Sequence, residues 1–396
     1  MTPPRDPPPP LAGYTVGVTA ARRAEELGAL LERRGAQVVH APAIRIVPLA
    51  DDADLVAATR RCLSGRLDAV VATTGIGFRG WVEAADGWGL GDRLIDRLRG
   101  ARLLARGPKA RGAVRAAGLP DAWSPASESS GEVLARLLAE GVAGARIAVQ
   151  LHGQPLPHFV DALRGAGAEV IEIPVYRWTR PVDVEPLRRL VTLACAGEVD
   201  ALTFTSAPAA ASTLSTAAEM GRQRDLLAAL RGRVLVACVG PVTRAPLEDH
   251  DVPAVMPERY RLGALVRELA DGLAARSPRL PVAGTELWLR GRAVVLGGAL
   301  RPVPPSAMCL LRVLARRPGR VVPRGELVDA LRTAPGGSQD IDEHAVETAM
   351  TRLRAALGRA DVIQTVIKRG YRLSYDPLQD APRCPGGAAE RPGARR

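Results

Sequence analysis

The sequence predicts an α/β protein with two similar parallel-sheet lobes and a smaller helical C-terminal domain. Three observations carry that expectation. Over residues 14–272, short, nearly continuous apolar runs alternate with helical ones, as when crossover helices bury both faces of a parallel sheet. One α/β unit recurs, "LDAVVATTGIG" at 67–77 matching "VDALTFTSAPA" at 199–209. After a Pro/Arg/Gly-rich stretch the grammar changes to short strands, three helices and a hairpin.

At 396 residues the chain exceeds one ordinary core. Aromatics are only 3% against 47% hydrophobic residues overall, so its cores must be built from Ala, Val and Leu. The net charge is +12, with Lys109 and Lys368 the only lysines. Residues 283–396 carry 19 basic and 11 acidic residues, a balance of +8, and the rest of the chain only +4. That asymmetry favours a polyanionic partner for the C-terminal part, the plainer alternative being a solubilising surface. Five scattered cysteines without a CxxC point to neither a disulfide framework nor a zinc site, and to a reduced, cytoplasmic setting. Residues 1–10, "MTPPRDPPPP", read as a disordered polyproline lead rather than a signal peptide. No apolar run approaches a membrane span.

Strands are expected at 14–20, 36–43, 68–74, 101–107, 145–153, 168–178, 200–206 and 233–240, with helices between them such as 22–34, 131–140, 157–166, 184–196 and 261–275. The repeat extends beyond its first match. Thr74 is followed 33 residues later by Gly107 of "GPKARG", and Ser206 is followed 34 residues later by Gly240 of "GPVTRAP". Both copies place hydroxyls and a Gly-Pro at carboxyl ends of strands, just before helices. Open α/β sheets bind ligands there, and free N–H groups at helix starts suit anions. The layout suggests a cleft between two lobes lined by N–H and OH donors. Taken singly, each Thr or Ser reads as an N-cap; the paired recurrence raises the case for the set.

The stretches "VATTGIG", "IPVYRWT", "LTFTSAPA" and "ACVGPVTRAPL" resemble uroporphyrinogen-III synthase across residues 11–275. That resemblance implies two flavodoxin-like lobes joined by a two-stranded ladder, one lobe inserted within the other. Lobe one would span 11–42 and 180–275, lobe two 50–170, with 43–49 and 172–178 as the ladder. It also implies closure of hydroxymethylbilane, an octacarboxylate that loses a hydroxyl, without cofactor or metal. Such chemistry needs binding, orientation and a proton donor near the leaving group. By the same resemblance Tyr176 and Thr243 are the catalytic candidates. Thr73, Thr74, Thr205, Ser206 and Gly240 line the ligand site, and Arg22, Lys109 and His152 are placed to meet carboxylates. Tyr176 read plainly plugs the lobe junction, and His152 is a satisfied polar residue.

Residues 276–284 read as a linker and 285–376 as a separate domain, followed by a disordered tail over 377–396. Helices are expected from Ser306 to Pro318 and from Pro323, with 334–341 a loop. In "DEHAVETAMTRLRAALG", Val346, Ala349, Met350, Leu353, Ala356 and Leu357 share one face. Glu347, Thr348, Thr351, Arg352 and Ala355 share the other, with Arg354 at its flank. Alone, that is a solvated helix face. Followed by "IQTVIKRGYRL", it resembles the winged helix-turn-helix domain of OmpR/PhoB-type regulators, a recognition helix and a wing. The resemblance implies that Thr348, Thr351, Arg352 and Arg354 meet a major groove while Lys368 and Arg369 lie along phosphate or in the minor groove. No receiver-domain pattern is present.

Three readings follow: a regulator whose lobes bind a tetrapyrrole-like or other small anion, a working synthase with a DNA-binding appendage, or a bifunctional protein. The first is preferred, because a biosynthetic enzyme has no need of a sequence reader. The fusion resembles actinobacterial regulators of nitrate and nitrite assimilation, whose nitrite reductase depends on siroheme made from uroporphyrinogen III. Double-stranded DNA is the expected partner, with a homodimer or co-regulator on paired half-sites.

Overall fold

The computed structural model describes residues 7–48, 53–151, 153, 156–334 and 337–376. It forms two compact units, residues 44–181 and the remainder. The chain begins with β1 (Thr15–Val18), α1 (Ala24–Glu32) and β2 (Gln37–His40), then leaves this sheet through β3 (Arg45–Pro48). An inserted lobe follows: α2 (Ala53–Leu63), β4 (Ala69–Ala72), α3 (Gly75–Gly87), α4 (Gly91–Arg99), β5 (Arg102–Ala105), α5 (Pro108–Ala116), α6 (Ser130–Glu140), β6 (Arg146–Gln150), α7 (Pro157–Gly165) and β7 (Glu169–Ile173). The sequence reads 168–178 as one strand. The structure breaks it at Pro174, which has no N–H to donate, and β8 (Tyr176–Thr179) turns back to pair antiparallel with β3. This ladder belongs with the inserted lobe, because Ile46, Tyr176 and Trp178 pack on that lobe's core.

The first lobe resumes with α8 (Glu185–Ala196), β9 (Ala201–Phe204), α9 (Ala207–Glu219), α10 (Gln223–Arg231), β10 (Leu235–Cys238), α11 (Pro241–Glu248), β11 (Ala254–Val255) and α12 (Leu262–Arg276). Its parallel sheet runs β2-β1-β9-β10-β11, the flavodoxin order. The inserted sheet runs β7-β6-β4-β5, extended by a bridge from Leu104 to Trp123. It is the same order circularly permuted, with β4 where the first lobe has β9. The sequence repeat therefore marks topologically equivalent strands. Alternate residues on each strand feed opposite cores: Leu235 and Ala237 pack with α1 and α12, whereas Val236 and Cys238 pack with α8 to α11. This two-sided burial explains why the strands read as continuous apolar runs.

The expected linker is not one. Residues Arg279–Val282 form β12, pairing with β13 (Thr285–Arg290), and β14 (Ala293–Leu296) and β15 (Ala299–Pro302) complete an antiparallel sheet. Pairing across the Ala283-Gly284 turn satisfies backbone groups that a Pro/Arg/Gly-rich linker would leave to water, with both turn residues at positive φ. Then come α13 (Pro305–Ala315), α14 (Arg324–Thr333), α15 (Glu343–Leu357), β16 (Ile363–Val366) and β17 (Gly370–Leu373). Leu310, Leu311, Leu314, Leu327, Leu331, Val346, Met350, Leu353 and Tyr371 share one core.

The antiparallel sheet also packs on the first lobe. Arg290, 2% exposed, donates to the carbonyls of Pro9 (2.9 Å) and Ala12 (3.3 Å). Arg292 N–H donates to the Gly13 carbonyl at 2.8 Å, and Arg312 donates to the Gly291 carbonyl at 2.8 Å. Trp288 lies between the guanidiniums of Arg279 and Arg290, 3.9 and 3.7 Å from its ring centre.

Candidate functional site

Strand order in the inserted lobe reverses between β4 and β6, and polar groups converge at their carboxyl ends. Thr73, buried, donates its hydroxyl to the Gln150 carbonyl at 2.9 Å. Gln150, 1% exposed, donates through Nε2 to Thr74 Oγ1 at 2.8 Å. The same oxygen accepts from the Gly77 N–H at 3.2 Å, capping α3, and lies 3.5 Å from the Tyr176 hydroxyl. Thr73 and Thr74 are thus engaged within the protein, building a small network that fixes the Tyr176 side chain. Gln150 Oε1 is left buried without a hydrogen-bond partner among the described residues.

Two charged groups frame this network. Arg106, half-buried at the end of β5, is held below the usual arginine range by burial, against the attraction of Tyr176 and Glu128. Lys109 is exposed on α5, whose first residues follow the uncapped Gly107. Gly75 at the start of α3 is needed because a Cβ there would collide with the Lys109 carbonyl. His152 lies outside the described residues.

The first lobe is arranged differently. Thr19 donates to the Thr203 carbonyl (2.8 Å) and Thr203 to the Gly17 carbonyl (3.0 Å), stitching β1 to β9 at the reversal point of this sheet. Thr205 and Ser206 follow, both half-buried. Ser206 occupies the N-cap of α9 without capping it, and Gly240 is the N-cap of α11, again without a side-chain bond. Helix-start N–H groups are therefore uncovered by caps at α9 and α11, whereas Thr74 covers α3. Thr243 is buried in the first turn of α11, and Arg22 is exposed. The Tyr260 ring, 55% exposed, stands over Gly240, where an added Cβ would lie 3.3 Å from it.

Gln150, Arg106 and Tyr260 are additions to the residues legible in the sequence. Arg106 carried a faint signal, a single charge closing the apolar run "LLARG" just before the repeated Gly-Pro.

In the C-terminal domain, Asp342 caps α15 by accepting from the Ala345 N–H at 3.0 Å, and Gly358 ends it in the left-handed region. Thr348 is half-buried, while Thr351 and Arg352 are exposed. The Thr351 hydroxyl donates back to the Glu347 carbonyl at 3.0 Å. Glu347 is held 3.5 Å from Arg324 of α14. Arg354 is turned away from the exposed face: it donates to the Ile363 carbonyl (2.9 Å) and to Thr365 Oγ1 (2.8 Å), tying the helix to β16. At the hairpin tip Lys368 and Arg369 are exposed, and their side chains make no ion pair among the described residues. The turn closes through Arg369 N–H to the Val366 carbonyl at 2.9 Å.

A family model described as uroporphyrinogen-III synthase HemD matches residues 25–267, and one described as transcriptional regulatory protein, C terminal, matches residues 301–373. The chain is 30% identical over 264 residues to the uncharacterized protein YjjA of Bacillus subtilis, covering 66% of this chain and 96% of that one. A uroporphyrinogen III synthase mutant structure from Thermus thermophilus shares 30% identity and a TM-score of 0.55, over 66% of this chain and all of that one. The Klebsiella pneumoniae RstA DNA-binding domain, solved in complex with RstA box, is 25% identical over 24% of this chain and 96% of its own, with a TM-score of 0.21. The chain belongs to the uroporphyrinogen-III synthase family and carries, fused behind that domain, an OmpR/PhoB-type DNA-binding domain.

Proposed function

We propose that this protein regulates transcription of nitrate and nitrite assimilation genes, with its synthase-like lobes sensing a tetrapyrrole-like or other small anion. The fusion of the two domains supports a DNA-binding regulator. The observation that carries the reading is the α15–wing pair: a capped helix with Thr351 and Arg352 outward, bolted by Arg354 to a hairpin whose tip bears Lys368 and Arg369. Arginine reads guanine edges, threonine suits thymine methyls or phosphate, and the wing cations suit phosphate.

Within the first lobe the uncovered helix starts at Ser206 and Gly240 supply donors for carboxylates, and within the inserted lobe Arg106 and Lys109 do so. Siroheme, the nitrite reductase cofactor, descends from uroporphyrinogen III, which makes such a ligand a sensible reporter. A genome-wide binding profile in the host tests the regulatory half. Occupancy at nitrite-reductase promoters is expected, and its absence there would remove the nitrogen assignment.

One observation favours retained synthase activity. The Tyr176 hydroxyl lies 3.5 Å from Thr74 Oγ1, and a tyrosine hydroxyl is a group able to act as general acid. Incubation with hydroxymethylbilane separates the readings. A sensor leaves the substrate to cyclise unaided. An enzyme yields the III isomer, at a rate that Tyr176→Phe and Thr243→Ala reduce.

A further inference from the structure

Six large hydrophobic side chains are exposed among the described residues, and most stand on scattered elements where single exposures need no explanation. Ile367 is different. It is 83% exposed at the wing tip, beside Lys368 and Arg369. Its backbone is held: the Arg369 N–H closes the turn onto Val366, and Lys368 takes a φ of 58°. Behind it, Tyr371 and Val322 exchange backbone hydrogen bonds of 2.8 and 3.1 Å, and Arg354 fastens β16 to α15. The tip therefore keeps a set position relative to the helix. Its two cations account for attraction to phosphate but not for a branched apolar side chain between them and the strand.

We propose that Ile367 is a specificity-determining residue, seated as an apolar wedge in the minor groove beside the site read by α15. The inference rests on the DNA-binding reading above. Apolar wedges inserted from the minor groove partly unstack a base step and bend the duplex. Pyrimidine–purine steps open most readily, so the wedge selects them at a set distance from the major-groove motif. Ile is stiff at χ1, which suits a wedge better than a flexible chain. The adjacent cations draw the tip toward the negative potential of the groove.

Selection from a random duplex pool, with the full-length protein, tests this without a known operator. Wild type should enrich a major-groove motif plus a flanking pyrimidine–purine step, and should bend the selected duplex by fluorescence energy transfer. Ile367→Ala should keep the motif, lose the step preference, bend the duplex less, and bind the best wild-type duplex about 10-fold more weakly. Ile367→Leu should retain the preference. Lys368→Ala should instead weaken all sequences alike and lower the salt slope. As Ile367 is exposed, the Ala variant should melt like wild type. The same flanking preference and bend in Ile367→Ala would overturn the inference. A wild-type protein that enriches no motif would instead remove the DNA-binding reading itself.

Discussion

Gly370 adopts a φ of +133°, and a Cβ there would collide with the Val322 carbonyl. Both facts demand glycine, and the wing depends on it because the next residue pairs with Val322. Gly370→Ala should cost about 2 kcal/mol or more, read in denaturant melts of the full-length protein, and should weaken DNA binding with it. Protonation supplies a second test at this scale. Burial pushes the thiols of Cys62 and Cys238 up to about 12 from an ordinary 9.0. The folded state then keeps protons that the unfolded chain releases. Their contribution is complete below the ordinary thiol value and is lost as pH rises toward about 12. Cys62→Ala and Cys238→Ala should each flatten the fall of stability above that ordinary value, whatever their effect on its level.

Arg352 and Arg354 stand two positions apart on one helix and do different things. The first faces outward, and the second is spent on the Ile363 carbonyl and Thr365. Arg352→Ala should reduce the slope of log affinity against log salt by about one if it meets a phosphate, or relax a guanine preference if it meets a base. Arg354→Ala should weaken binding with the slope unchanged, because what it loses is the alignment of helix and wing. At the start of the same helix, Asp342→Ala removes the cap on the Ala345 N–H and should destabilise the domain by about 1 kcal/mol in thermal melts.

The first lobe and the DNA-binding domain share a tight junction. Arg290 is buried against the Pro9 and Ala12 carbonyls, and Gly13 is close enough to Ala293 that a Cβ would meet it at 2.8 Å. Arg290→Met should leave the Ala12 carbonyl without its donor and the Pro9 carbonyl with the Ala12 N–H alone, at a cost of about 1–3 kcal/mol. Calorimetry should show the two parts unfolding together in wild type and separating in the variant. A winged helix merely tethered to the synthase-like domain would melt by itself in both.

Much of the molecule was legible because local chemistry decides it. Continuous apolar runs marked parallel strands, the 67–77 and 199–209 repeat marked equivalent strands of two permuted sheets, and the apolar face of Val346, Met350 and Leu353 marked α15. Apolar periodicity, caps and glycine turns act within a few residues, so a chain read in order reveals them. Tertiary structure alone decided what depends on partners far along the chain. Gln150 meets Thr74 across 76 positions, and Arg290 meets Pro9 across 281. Which hydroxyls are engaged, which arginine faces out and whether residues 276–284 hang free are settled by which distant donor or strand arrives beside them, and no local pattern encodes that arrival.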